Sequence, residues 1–203
     1  MPEATEVQVR PAGEDDLADL TEIYNHYVRE TPITFDLEPL TPQQRRPWLL
    51  SHPEDGPHRL LVACGGPGGR ILGYATSSPF RPKAAYATSV ETSVYCAPDA
   101  GGRGTGTLLY KALFEALREE DVHRAYAGIA QPNEASVRLH ARFGFQPVGV
   151  YREVGRKFGR YWDVAWYEKD LSPGTGPAPA VRSASAPAPG RIAENAPARS
   201  AGS

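Results

Sequence analysis

Alternating and helically spaced apolar positions divide most of the chain into short elements. Val7 and Val9 stand between polar neighbours as in a short strand. After the acidic run Glu14-Asp15-Asp16, the positions Leu17, Leu20, Ile23, Tyr24, Tyr27 and Val28 share one face of a helix. A turn-rich stretch from Thr31 to Pro42 carries Phe35 and Leu37, and Thr41-Pro42 then opens a second short helix through Gln43 to Leu50. Leu60 to Cys64 and Ile71 to Thr76 are apolar runs of strand length joined by Gly65-Gly66-Pro67-Gly68-Gly69, which predicts a hairpin. Ser89 to Cys96 is a longer strand ended by Pro98. A helix through Thr107 to Leu117, a strand over Ala125 to Ala130, a helix from Asn133 to Arg142 and strands at Gln146 to Glu153 and Tyr161 to Lys169 complete the series. Helices interleaved with a largely antiparallel set of strands predict an α+β domain rather than a doubly wound one.

The periodicity stops at Leu171. Six of the 20 prolines and four of the 20 glycines lie beyond it, among alternating Ala and Ser. Such a segment buries too little apolar surface to offset its ordering entropy, so residues 1–171 are expected to be the folded domain and 172–203 a disordered tail. With 22 Lys and Arg against 24 Asp and Glu, the chain has a net charge of -2 and no basic block suited to phosphate backbones, which argues against a nucleic-acid partner. The longest apolar run, Leu60 to Cys64, is far below the roughly 20 residues of a membrane helix, and the first residues lack a basic-then-apolar leader. These features predict a cytoplasmic protein with no membrane partner. Cys64 and Cys96 form no metal-binding spacing, and both sit in apolar strands, where buried core thiols are expected.

One segment carries candidate chemistry. The strand ending at Cys96 leads through Gly101-Gly102-Arg103-Gly104-Thr105-Gly106 into a helix. Glycines at a helix start present several backbone N–H groups to one point, backed by roughly half a positive charge from the helix dipole, which makes a cradle for an anion such as a pyrophosphate. The run lacks the Gly-Lys-Ser/Thr ending of a Walker loop, and it does not open an early βαβ unit as a dinucleotide fingerprint does.

Together with Asn133-Glu134-Ala135-Ser136-Val137-Arg138-Leu139-His140-Ala141-Arg142-Phe143-Gly144-Phe145 downstream, this loop resembles the second half of the GNAT N-acetyltransferase superfamily. The likeness is closer still to the phosphinothricin and methionine sulfoximine or sulfone N-acetyltransferases. It spans most of residues 6–171 and is carried by Asn25-His26-Tyr27, Phe35, Glu38-Pro39, the run Pro79 to Tyr86, Val90 to Tyr95, Ser136 to His140 and Trp162-Asp163-Val164. The resemblance implies a mixed, largely antiparallel sheet with helices on both faces, acetyl-CoA as cosubstrate, a small amino-acid-like acceptor and a homodimer. It places the cofactor on Val94, Tyr95, Cys96, the cradle Gly102, Arg103, Gly104, Thr105, Gly106 and Thr107, then Asn133 and Arg142. Gly101 departs from the family, which usually has Gln or Arg there.

The same resemblance makes Glu91 the general base. An amine of pKa 9 to 10 is mostly protonated at pH 7, and a base must recover about 3–4 kcal/mol of nucleophile population. The resemblance also assigns a backbone N–H near Val94 to the acetyl carbonyl oxygen and puts His140 where many relatives have Tyr, as acid, second base or packing residue. Phe35, Arg81, Lys83, Ala84, Ala85 and Tyr86 are the implied acceptor contacts, with Arg81 and Lys83 standing where the pattern has Lys and Arg. Two other functions remain open: acetylation of a peptide N-terminus, polyamine or aminoglycoside, and a non-catalytic acetyl-CoA-binding domain.

Overall fold

Alternation along the second strand sorts the core into two layers. Leu61 and Ala63 join a cluster with Leu109, Tyr110, Leu113 and Leu117 on one face of the sheet, while Leu60 and Val62 join Leu17, Leu20, Ile23, Leu49 and Tyr74 on the other. The computed structural model describes residues 7–172, so the tail expected over 172–203 lies, save Ser172, outside the described residues. The strands are β1 (Gln8–Pro11), β2 (Leu60–Gly65), β3 (Arg70–Pro79), β4 (Ser89–Cys96), β5 (Arg124–Ala130), β6 (Gln146–Lys157) and β7 (Arg160–Asp170). They form one sheet in the order β1-β2-β3-β4-β5-β7-β6. Every neighbouring pair is antiparallel except β4 and β5. Helices α1 (Leu17–Glu30) and α2 (Pro42–Leu50) cover one face, and α3 (Thr105–Leu117) covers the other with α4 (Glu134–Arg142) beside it.

The helix ends follow local chemistry. Thr41 and Gln44 form a reciprocal capping box at α2, with Pro42 in the first turn. At the start of α1, Asp16 accepts from the Gly13 N–H and from both terminal nitrogens of Arg10 at 2.7 Å, and the Arg10 guanidinium holds its carboxyl below the usual range. Helix α3 begins at Thr105, two residues before the periodicity places it, because Gly104 adopts a left-handed φ of 84° and turns the chain directly into the helix.

The parallel pair positions the site. β4 and β5 are in register only at Ser89–Arg124, Val90–Ala125 and Glu91–Tyr126. Beyond Glu91 they diverge, although β4 stays paired with β3 to Cys96 and β5 with β7 to Ala130. The result is a wedge inside the sheet, open toward the starts of α3 and α4. β6 also differs from the sequence expectation, running to Lys157 instead of stopping at Glu153. Glu153 has a φ of 51° and donates its N–H to Asp163 Oδ1 at 2.7 Å, so a pinned bulge interrupts the extended pattern and the strand resumes after it.

Candidate active site

A cavity of about 530 Å³ fills the wedge. Val94, Tyr95 and Cys96 of β4 form one wall, the backbone of Ala127 to Ala130 faces them, and Gly102, Gly104, Thr105, Gly106 and Thr107 close the end. Gly102 and Gly104 have φ of 74° and 84°, and a Cβ added at either would meet only open space, so the backbone itself borders the cavity. Asp99 precedes the loop and is tied to Arg70 of β3 at 2.6 Å, which pulls its carboxyl down to about 2. Arg103, the remaining member of the expected cradle, is exposed and does not itself line the cavity. Cys96 is a half-buried wall of the cavity and Cys64 is also only half-buried, so neither is the core thiol expected from its strand.

Asn133 and Arg142, at opposite ends of α4, both line this cavity. Asn133 caps the helix by accepting the Ser136 N–H on Oδ1 at 3.1 Å, which leaves its NH2 group to donate elsewhere. Arg142 donates to Thr107 Oγ1 at 3.4 Å, linking α4 to the first turn of α3. The end wall of N–H groups, a helix start and a guanidinium fits a pyrophosphate, and the narrow space between the diverging strands fits an extended chain.

Beside it lies a second cavity of about 270 Å³, lined by Glu91 together with Phe35, Tyr151, Val154, Val164 and Trp166. Ile33, Gly128 and Ala130 border both cavities, so the two adjoin there. On β4 the contents divide at Glu91, which borders the second cavity, while Thr92 to Cys96 border the first. Glu91 is half-buried, and burial pushes its carboxyl above the ordinary value against the opposing charge of Arg81. The Arg81 guanidinium lies 4.4 Å from the Phe80 ring centroid and 5.8 Å from that of Trp166. Lys83, Ala84, Ala85 and Tyr86 are all exposed on a single 3-10 turn, Ala84–Tyr86, and line neither cavity. Of the expected acceptor contacts, the fold therefore brings Phe35 into the Glu91 cavity and Arg81 near it.

His140 borders the first cavity but is only 3% exposed. Its Nδ1 faces the Ser136 carbonyl at 2.8 Å, an atom that only accepts, so Nδ1 carries the proton and Nε2 accepts from the Tyr110 hydroxyl at 2.9 Å. Burial lowers its pKa, and the ring is a neutral imidazole with both nitrogens engaged. Tyr110 is missing from the sequence reading because its position in α3 is indistinguishable from ordinary core spacing. Ile33, Tyr151, Val154 and Trp166 are missing for a related reason, since alternating apolar residues give no sign of bordering a cavity, and Val164 enters only through the resemblance. Tyr27, present in the resemblance without a role, donates its hydroxyl to the Cys96 carbonyl at 2.7 Å and closes the end of β4.

The sheet with a wedge after its fourth strand, a glycine turn at the mouth and a half-buried carboxylate beside it has counterparts among known proteins. Residues 9–166 match the acetyltransferase (GNAT) domain model, and the chain belongs to this family. Within it, the chain is 75% identical over 171 residues to a phosphinothricin N-acetyltransferase of Streptomyces coelicolor, covering 84% of this chain and all of that protein. It is 36% identical over 165 residues to an L-methionine sulfoximine/L-methionine sulfone acetyltransferase of Pseudomonas aeruginosa, with 81% and 95% of the two chains covered. The solved structure of a phosphinothricin acetyltransferase from Sinorhizobium meliloti in complex with acetyl-CoA superposes with a TM-score of 0.78 at 29% identity, over 89% of this chain and 96% of that one.

Proposed function

We propose that the protein transfers an acetyl group from acetyl-CoA to the α-amine of a small amino-acid analogue such as phosphinothricin or methionine sulfone or sulfoximine. The observation that carries this reading is the junction of the two cavities at Ile33, Gly128 and Ala130, with an anion cradle in one and Glu91 in the other. Acetyl-CoA supplies the acetyl group as an activated thioester. The cradle Gly102 to Thr107 with Arg142 holds its pyrophosphate, and the edge of β4 at Val94 to Cys96 holds the extended arm. Glu91 accepts the proton of the incoming ammonium, directly or through one water, and its raised pKa strengthens it as a base toward an amine. The Val94 N–H donates to the acetyl carbonyl oxygen. A thiol of pKa near 8.5 leaves readily as thiolate, so little general acid is required. His140, with both nitrogens engaged, positions α4 against Tyr110 instead of supplying that proton.

The acceptor cavity holds one carboxylate among apolar walls, with the Arg81 cation nearby. Glu91 attracts the acceptor's ammonium, and Arg81 beside the cavity offers a cation to an acidic or oxidised-sulfur side chain. The identity to the Streptomyces coelicolor enzyme supports the same class. β6 is an edge strand whose Val148, Val150, Tyr151 and Val154 are all more than half exposed, which supports a homodimer formed along it. No helix among the described residues is long and apolar enough to cross a membrane.

Thiol release from acetyl-CoA tests this with phosphinothricin, methionine sulfone, methionine sulfoximine, ordinary amino acids, an N-terminal peptide and a polyamine. Turnover is expected on the phosphinic and oxidised-sulfur amino acids, with Glu91→Gln costing about 10²-fold or more. Turnover confined to the peptide or polyamine would overturn the acceptor class. Retention of full activity by Glu91→Gln would overturn the base.

A further inference from the structure

Phe35 stands on the loop between α1 and α2 and walls the Glu91 cavity. Its seat lies 120 residues further along the chain, on β6. A Cβ added at Gly155 would overlap the Phe35 ring atoms Cδ2, Cε2 and Cζ, so the ring lies directly on the Gly155 backbone. Gly155 is buried and is not among the glycines with positive φ. The glycine is therefore required for close approach and not for backbone conformation. Two residues on, and pointing to the same face of the strand, Lys157 is 3% exposed and donates through Nζ to the Thr34 carbonyl at 2.8 Å. The bulge at Glu153, tied to Asp163, sets the register of both residues after the strand resumes.

We propose that Gly155, with Lys157, is a specificity-determining positioning residue: it seats the Phe35 ring and thereby fixes the size of side chain that the acceptor cavity admits. The proposal rests on the Glu91 cavity being the acceptor site. A methyl group at 155 displaces the ring, while the first cavity, which contains neither residue, is untouched. The signature is therefore one-sided. Acceptor binding changes and acetyl-CoA binding does not.

Gly155→Ala, Phe35→Leu and the double variant are compared in steady-state kinetics on methionine sulfone and phosphinothricin, with thermal melting of each protein. Gly155→Ala is expected to raise the acceptor KM about tenfold or more, the scale of one methylene in an apolar pocket, with the acetyl-CoA KM unchanged. Adding Phe35→Leu removes the overlap and recovers most of that loss and any lowering of Tm, a non-additive pair. A parallel rise in both KM values, or a double variant no better than Gly155→Ala in kinetics and melting, would overturn the proposal. If Gly155→Ala fails to fold, restored folding in the double variant supports the contact, and continued failure overturns it. Active wild type with an unaltered acceptor KM in Gly155→Ala sinks this inference alone. No turnover on any acceptor sinks the acceptor-site reading and this role with it.

Discussion

The two adjoining cavities are built by opposite means. The larger one takes its end wall from backbone and from residues close together in sequence, the end of β4 followed at once by the glycine turn and the first turn of α3, with β5 and α4 completing it. The smaller is made of side chains gathered from the α1–α2 loop, mid-β4, β6 and β7. A wall of peptide groups has few degrees of freedom to alter, since every residue supplies the same N–H and C=O. A wall of side chains changes with each substitution. One half thus suits a ligand common to many enzymes, and the other suits an acceptor that differs among them.

The division can be broken most severely at the glycine turn. Gly104→Val forces a β-branched residue to a φ of 84°, a strain on the order of 1–3 kcal/mol. It is expected to weaken acetyl-CoA by roughly 10- to 100-fold, read as KM or by calorimetry, with the acceptor KM within about twofold. A larger change on the acceptor side would erase the distinction. His140→Asn comes next, at about tenfold in kcat and below the 10²-fold or more expected of a general acid, with the alkaline side of the pH profile unmoved. Loss of an alkaline limb in that variant would give His140 the acid role.

Arg81→Gln is the mildest and sharpens the electrostatics of the smaller cavity. Glu91 works as a base only when ionised, so activity falls as pH drops through its raised pKa. Arg81 lowers that pKa, and its removal should move the acid limb of kcat/KM to higher pH. Movement to lower pH, or none, would show that Arg81 does not act on Glu91.

How much was legible in the sequence follows the same division. The glycine turn and Asn133 announce themselves because glycines and a capping Asn are local signals, and Gly102, Gly104, Gly106 and Asn133 border the wedge. Glu91 is singled out by the resemblance, and it lies in the second cavity. Trp166, Tyr151 and Val154 give no such sign, because an apolar residue in a strand reads the same whether it faces core, cavity or surface. Lys83 to Tyr86 present the other case. The resemblance nominates them, but in the folded chain they sit on an exposed turn. The extent of β6 was hidden because a single residue with positive φ, Glu153, looks like an ending.

The wedge after Glu91 has a thermodynamic consequence as well. Two strand edges, Thr92 to Cys96 and Ala127 to Ala130, face each other across a gap too wide for mutual pairing, so the sheet is one ladder short of complete. An extended ligand arm bearing amides serves there as a missing strand, and ligation becomes part of the folding equilibrium. At a concentration a hundred times its Kd, such a ligand adds about 2.7 kcal/mol to the stability of the protein. The melting temperature is then expected to rise with the concentration of acetyl-CoA.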